Sequence, residues 1–499
     1  MKQKKELFIK DLLIRQKNND KIFIEEGDQG ITFSEIHSKC SLISKEILNK
    51  SENLSCPNMG IFLPNSINYA ISYLSIAYAE RTIVPVEVTL SKLQFISIID
   101  YCEISTILTV TRYLPQLKEY LNGYKINIEI FNIDNMEIIN HTGEKRELSE
   151  RKNDTSSIDD TAIMLHTSGT TSSPKRVMLT HRNLISNVES NILSLKLDEN
   201  DKSLIVLPMY FGYCNSSQFL THLYLGASIV IALQPFNPAV FLKTIDAKKC
   251  TNTTCIPSML FLTLAVRKKY DTSSLRYLCF GGGIMPVEKL KQILKYFEGT
   301  GIVQTYGQTE ASPRVTCLLP KDSLRKIGSV GKAIPNVTVD IFDEHDNPVA
   351  VGEKGEIVVR GDNVMKGYYK HPKETEITLR NGWLHTGDIG KFDNEGDLYI
   401  VGRIKNVIIS GGLNIYPEEI EEILINYRGI KEAIVIGEKH DVMGEVPVAK
   451  IVLDDDNVSV TDVIEYCKKM LDSHKVPRKI EICKKLDKTY NGKIKRNDK

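Results

Sequence analysis

Through the first half of the chain, short runs of β-branched and aliphatic residues alternate with longer amphipathic stretches. That texture predicts an α/β fold with a largely parallel sheet. Thr32-Phe33-Ser34-Glu35 carries the hydroxyl and carboxylate of a capping box and predicts the start of an early helix. Apolar runs at 162–165, 203–207, 227–233, 276–280 and 302–305 predict buried strands, and Leu290, Ile293, Leu294 and Phe297 recur on one helical face between the last two. The run 276–280 enters Gly281-Gly282-Gly283, and 302–305 enters Tyr306-Gly307-Gln308-Thr309-Glu310. In open α/β sheets, ligands gather at such carboxyl ends of strands.

From about Val337 the texture changes to short strands, 337–342, 356–360, 398–401 and 407–409, separated by Gly, Asp and Asn turns. This predicts a smaller, more antiparallel, β-rich subdomain. After Arg403 the pattern reads strand, Gly411-Gly412, a helix from Pro417, two strands and a helix, the texture of a separate α+β domain of about a hundred residues. The expected architecture is thus a large α/β N-terminal domain over 1–402, with its β-rich subdomain, and a small mobile C-terminal domain over 403–499. The polar, charge-rich stretch 141–160 is expected to be a surface connection.

Composition narrows the function classes. Of 499 residues, 42% are hydrophobic and 25% charged, the proportions of a soluble globular protein, which excludes a disordered scaffold. Lys and Arg total 64 against 63 Asp and Glu, so no basic footprint argues for nucleic acid or an anionic membrane, and function falls to a specific pocket. Ten cysteines without a C-x-x-C pair are expected to be reduced, buried thiols. The apolar stretch 7–14 is broken by Lys10 and Asp11, unlike a signal peptide, and no run is long enough for a membrane span. The expected location is cytoplasmic.

Four motifs carry chemistry. Thr167-Ser168-Gly169-Thr170-Thr171-Ser172-Ser173-Pro174-Lys175 follows a strand; small hydroxyl residues around a glycine converge on phosphate oxygens, and a lysine adds a point charge. It is not a Walker loop, which needs a second glycine before the lysine. Tyr306-Gly307-Gln308-Thr309-Glu310 offers a stacking face, a hydroxyl and a hard oxygen ligand for Mg²⁺. Gly387-Asp388, with Arg403 fifteen residues later, suits a ribose diol. Near the C-terminus, Asn491-Gly492-Lys493-Ile494-Lys495-Arg496 lies in a basic run; taken singly, it reads as a solvated tail.

In chain order these motifs resemble those of the adenylate-forming superfamily, which includes acyl- and aryl-CoA synthetases, adenylation domains and beetle luciferases. The resemblance runs from about Ile31 to Arg496. It implies an enzyme using ATP and Mg²⁺ to adenylate a carboxylic acid and pass the acyl group to coenzyme A or, alternatively, to the phosphopantetheine of a separate acyl or peptidyl carrier protein. It assigns Thr167, Ser168, Gly169, Thr170, Thr171 and Lys175 to the β- and γ-phosphates. Gly281, Gly282, Gly283, Tyr306 and Gly307 would frame the adenine, with Tyr306 stacking on it. Thr309 would hold the α-phosphate, Glu310 would ligate Mg²⁺, and Asp388 with Arg403 would bind the ribose. Lys493 would reach the carboxylate and α-phosphate, Lys405 would be the hinge, and Ser410-Gly411-Gly412-Leu413-Asn414 would line the thiol channel.

Three positions depart from the family pattern. Arg176 follows Lys175 where a glycine is usual, and Phe211 falls where many of these ligases carry a histidine near the acid carboxylate. Tyr213 falls where adenylation domains for α-amino acids carry an aspartate, which argues against an ordinary α-amino acid. Phe211, Tyr213, Cys214, Ser217 and Gly281 are the candidate acid pocket. A nucleotide-binding protein that had lost catalysis would be expected to lack Lys493 or Glu310, and both are present; a luciferase-type oxygenase needs just an altered acid pocket on the same fold.

Overall fold

The Thr32 hydroxyl accepts the Glu35 amide at 3.2 Å and the Glu35 carboxylate accepts the Thr32 amide at 2.8 Å, closing the capping box that opens helix Phe33–Lys50. Below that cap Ile36, Cys40, Ile43 and Ile47 share one buried face. The computed structural model describes residues 6–51, 56–141, 143–144, 156–166, 175–232, 234–283, 285–454, 458–488 and 494–496.

Among the described residues the larger sheet has fourteen strands. Its parallel half runs Ile22–Glu26, Ser228–Ile231, Lys202–Ile205, Asn252–Cys255, Tyr277–Phe280 and Gly301–Gly307. A second sheet of eight strands is parallel from Thr161–His166 through Thr82–Pro85, Asn58–Ile61 and Thr106–Thr109 to Ile128–Asn132. Helices Phe33–Lys50, Ile67–Tyr78 and His181–Leu195 bury their apolar faces in one cluster that joins strands of both sheets. Phe62, Phe95, Ile99, Leu117 and Leu121 form a second core with helices Lys92–Tyr101 and Leu114–Leu121.

The structure differs from the patterning in two places. Gly301–Gly307 runs through Tyr306 and Gly307 instead of ending before them, because these residues pair with Thr316 and Arg314 of the antiparallel strand Arg314–Leu318. Gly307 is required there, since a Cβ would lie 1.8 Å from the Pro313 carbonyl oxygen. The β-rich part is antiparallel as expected, yet it is no separate sheet: Ser329–Ala333 pairs on one side with Arg314–Leu318 and on the other with Leu398–Arg403.

Beyond these layers, strands Ile408–Ser410, Leu413–Ile415, Ile430–His440, Gly444–Leu453 and Lys479–Ile482 form a five-stranded sheet. Helices Pro417–Ile425 and Val460–Met470 pack with it around their own core, which includes Ile420, Leu424, Val435, Ile451 and Val463. The predicted α/β architecture with a small α+β portion is therefore what the chain adopts. All ten cysteines are free thiols and nine are buried. No helix among the described residues is long and apolar enough to cross a membrane.

Candidate active site

The antiparallel register of Trp383–Phe392 and Leu398–Arg403 sets Asp388 opposite Arg403. Asp388 Oδ1 lies 2.7 Å from Arg403 Nε, and the Tyr306 hydroxyl donates to Asp388 Oδ2 at 2.8 Å. Asp388 is buried, and both its oxygens are satisfied. Burial and the adjacent carboxylate push the Tyr306 phenol well above its usual range, so it stays a donor. The Asp388 carboxylate raises the Arg403 guanidinium in turn. A buried carboxylate beside an aromatic face can accept from a vicinal diol while the ring stacks on a base.

Thr309 and Glu310 lie in the 3₁₀ turn Thr309–Ala311 just past strand Gly301–Gly307, which carries Tyr306. The turn is pinned by the Met365 amide donating to the Glu310 carbonyl at 2.9 Å and Asn363 Nδ2 donating to the Ala311 carbonyl at 2.8 Å. The Tyr368 hydroxyl donates to Glu310 Oε1 at 2.9 Å, and Lys175 Nζ lies 5.1 Å from the Tyr368 ring centre. Tyr368 thus joins the lysine of the hydroxyl loop to the candidate metal carboxylate. Burial raises the Glu310 carboxyl above its usual range, a cost that a bound cation would offset. Among the described residues no group of three or more His, Cys, Asp and Glu could hold a metal. With nucleotides, Mg²⁺ usually needs just one or two protein carboxylates beside phosphate oxygens, and Glu310 is a candidate for one.

Next to the candidate acid-pocket residues Phe211 and Tyr213, Gly212 packs near Leu165, Pro313 and Thr309. The Tyr213 hydroxyl hydrogen-bonds Thr305 Oγ1 at 2.5 Å. A Cβ on Gly281 would lie 2.7 Å from that same oxygen, so the first of three glycines lets its backbone pack directly against Thr305. Gly282 and Gly283 follow it, exposed. Phe211 meets Tyr210 edge-on with ring centres 5.1 Å apart. Cys214 is fully buried in the main core. Ser217 is buried, with no hydrogen-bond partner for its hydroxyl, in a π-helical segment Asn215–Leu220, a widened geometry frequent at functional sites.

Thr167, Ser168, Gly169, Thr170, Thr171 and Lys493 lie outside the described residues. Strands Thr161–His166 and Arg176–Thr180, on either side of that stretch, pair antiparallel with His166 opposite Arg176. The Arg176 side chain is buried; burial and then its charge hold His166 down at about 4. Lys405 lies in the 3₁₀ turn Ile404–Asn406, directly after Arg403. Asn406 Nδ2 donates to Glu418 Oε1 at 2.7 Å. Arg496, three residues beyond Lys493, donates to both oxygens of Glu421 at 2.7 Å and to the Val435 carbonyl at 2.6 Å.

Residues 14–369 match the AMP-binding enzyme family, and residues 419–493 match the AMP-binding enzyme C-terminal domain. The chain belongs to the AMP-binding enzyme family. Among other AMP-binding enzymes it is 35% identical over 343 residues to a feruloyl-CoA synthase of an Amycolatopsis species, covering 68% of this chain and 69% of that one. It is 36% identical over 341 residues to the 2-succinylbenzoate–CoA ligase of Bacillus subtilis, covering 68% of each. The Bacillus subtilis o-succinylbenzoate CoA synthetase, solved with its acyl-adenylate intermediate, superposes with a TM-score of 0.84 at 28% identity, over 97% of this chain and 96% of that one. Sequence reading of this AMP-binding enzyme missed Tyr368. The local signal for Tyr368 is the aromatic pair after Gly367.

Proposed function

We propose that the protein is an ATP- and Mg²⁺-dependent ligase that adenylates a carboxylic acid and transfers the acyl group to coenzyme A. The observation that carries this reading is the Tyr306–Asp388–Arg403 cluster beside the Glu310–Tyr368–Lys175 chain: a diol acceptor with a stacking ring next to a half-buried carboxylate and a lysine. Coenzyme A is the favoured acceptor because the relatives just described are CoA synthases and ligases. Ten free thiols fit a reducing compartment, and we place the enzyme in the cytoplasm.

In this reading Tyr306 stacks on adenine within the frame of Gly281, Gly282, Gly283 and Gly307. Asp388, oriented by Arg403, accepts from the ribose hydroxyls, and Thr309 holds the α-phosphate. Lys175 and the loop Thr167 to Thr171 hold the β- and γ-phosphates. Glu310 would hold Mg²⁺, which when bound would neutralise charge on the nucleotide's phosphates. The acid's carboxylate oxygen bonds the α-phosphorus as the α–β phosphoanhydride bond breaks and pyrophosphate leaves. Lys493 steadies the charge that builds between the two anions. The CoA thiol, losing its proton, then bonds the acyl carbon as the acyl–phosphate bond breaks and AMP leaves. Between the two steps the small portion turns about Lys405, with the domain boundary at 403; its own core beginning at Ile408 supports movement as a unit.

Purified protein with ATP, Mg²⁺ and a panel of aliphatic, aryl and amino acids tests the reading. Pyrophosphate release should turn over continuously when coenzyme A is present, with matching acyl-CoA. Release that stalls despite coenzyme A would make the acceptor wrong, and no release with any acid would make the ligase reading wrong.

A further inference from the structure

Strand Trp383–Phe392 is interrupted where it carries Asp388. Against strand Gly355–Gly361 its register sets His385 opposite Val358 and Ile389 opposite Glu356, so Thr386, Gly387 and Asp388 stand against the single residue Ile357. A bulge of this kind disrupts the ladder locally and re-aims a side chain. Gly387 sits in it at φ +71°, a left-handed conformation that favours glycine. On the other edge of the same strand Asp388 stays opposite Arg403.

Two side chains bond the backbone of the bulge. The Glu356 carboxylate accepts the Gly387 amide through Oε1 at 2.9 Å. The Thr386 hydroxyl accepts the Asp388 amide at 3.1 Å and donates to the Ile357 carbonyl at 2.7 Å. Glu356 is itself held in place: its Oε2 meets His385 Nδ1 at 2.7 Å and Arg380 Nη2 at 3.4 Å, and Arg380 is tied to Asp346 at 2.9 Å. The Glu356 and His385 side chains are 13% and 2% exposed. The carboxylate thus grips, from a fixed position, the amide directly before Asp388.

Asp388 lies between the Tyr306 hydroxyl and Arg403, and the bulge sets that aim. Removing Glu356 takes a charged acceptor from the Gly387 amide, in a segment where Ile357 alone faces three residues. Resting on the nucleotide site of the ligase reading, we propose that Glu356 is a positioning residue for the ribose: through the Gly387 amide it fixes the bulge that aims Asp388 at the diol. The competing role, a brace among Asp346, Arg380 and His385 that supports the β-rich part, makes no distinction between nucleotides.

The test is calorimetric binding of ATP and of its dideoxy analogue, which lacks both ribose hydroxyls, each with Mg²⁺. The wild-type protein should prefer ATP by about 10- to 100-fold. Glu356→Ala should cut that preference by about 10-fold through lost ATP affinity, with the affinity for the analogue held. In turnover the same variant should raise the KM for ATP and leave kcat at saturating ATP in place. Glu356→Gln, which keeps an acceptor for the Gly387 amide, should restore most of the preference. A preference unchanged in Glu356→Ala, or affinities for both nucleotides falling together, would overturn the inference and leave the ligase reading standing. A wild-type protein indifferent to the diol would overturn the ribose role of Asp388 and the inference together. Binding needs no acid, so a failure of the ligase reading itself registers separately, in pyrophosphate release. If Glu356→Ala fails to fold, Thr386→Val, which removes the other brace of the bulge, decides by the same ratio.

Discussion

Asp388 keeps one oxygen on a phenol and the other on a guanidinium, so it is held as an acceptor before any nucleotide arrives. Hydrogen bonds to a charged group are among the stronger ones, and in the proposed reading two ribose hydroxyls converge on this one. Asp388→Ala should therefore weaken ATP binding by about 10- to 100-fold in calorimetry; unchanged affinity would contradict the ribose role. In the proposed mechanism Lys493 acts at a different moment. If it steadies charge between carboxylate and α-phosphate, Lys493→Ala should slow adenylation by about 100-fold or more while barely affecting thioester formation from supplied acyl-adenylate. Equal loss in both half reactions would contradict that division.

At the scale of elements, the tail is tied to helix Pro417–Ile425 by Arg496 and Glu421. Burial pushes the Glu421 carboxyl up to about 8 against the opposing pull of Arg496. A carboxyl raised in the fold favours folding below its ordinary value near 4.5, and that contribution is lost as pH rises through about 8. Arg496→Met removes the opposing cation, so its destabilisation should grow with pH, to about 3 kcal/mol at high pH. Melting curves at pH 5 and pH 9 check this, and an equal deficit at both would contradict it. The parallel strands are legible in sequence because burial on both faces writes them as unbroken apolar runs, as at Tyr277–Phe280. The strand membership of Tyr306 and Gly307 is not, because it depends on Arg314–Leu318 folding back beside them. Asp388 and Arg403 stand out by residue type and spacing. Tyr368 does not, since its partner Glu310 lies 58 residues away and the fold alone brings them together.

For the whole molecule, the small portion meets the rest through polar contacts more than through a shared apolar core. Glu419 bridges Lys354 of the β-rich part and Lys475, and Glu418 meets Asn406 beside the proposed hinge. Partly exposed ion pairs are individually weak, about 0 to 1 kcal/mol, which suits an interface that the proposed mechanism opens between half reactions. The account as a whole stands on an acyl-adenylate, in which a carboxylate oxygen becomes bonded to the α-phosphorus and leaves with AMP. The most direct test is turnover of a carboxylic acid labelled with ¹⁸O in both carboxylate oxygens, followed by mass analysis of AMP. One labelled oxygen in each AMP released is the predicted result. Unlabelled AMP, or label appearing in pyrophosphate, would contradict adenylation as the chemistry of this protein.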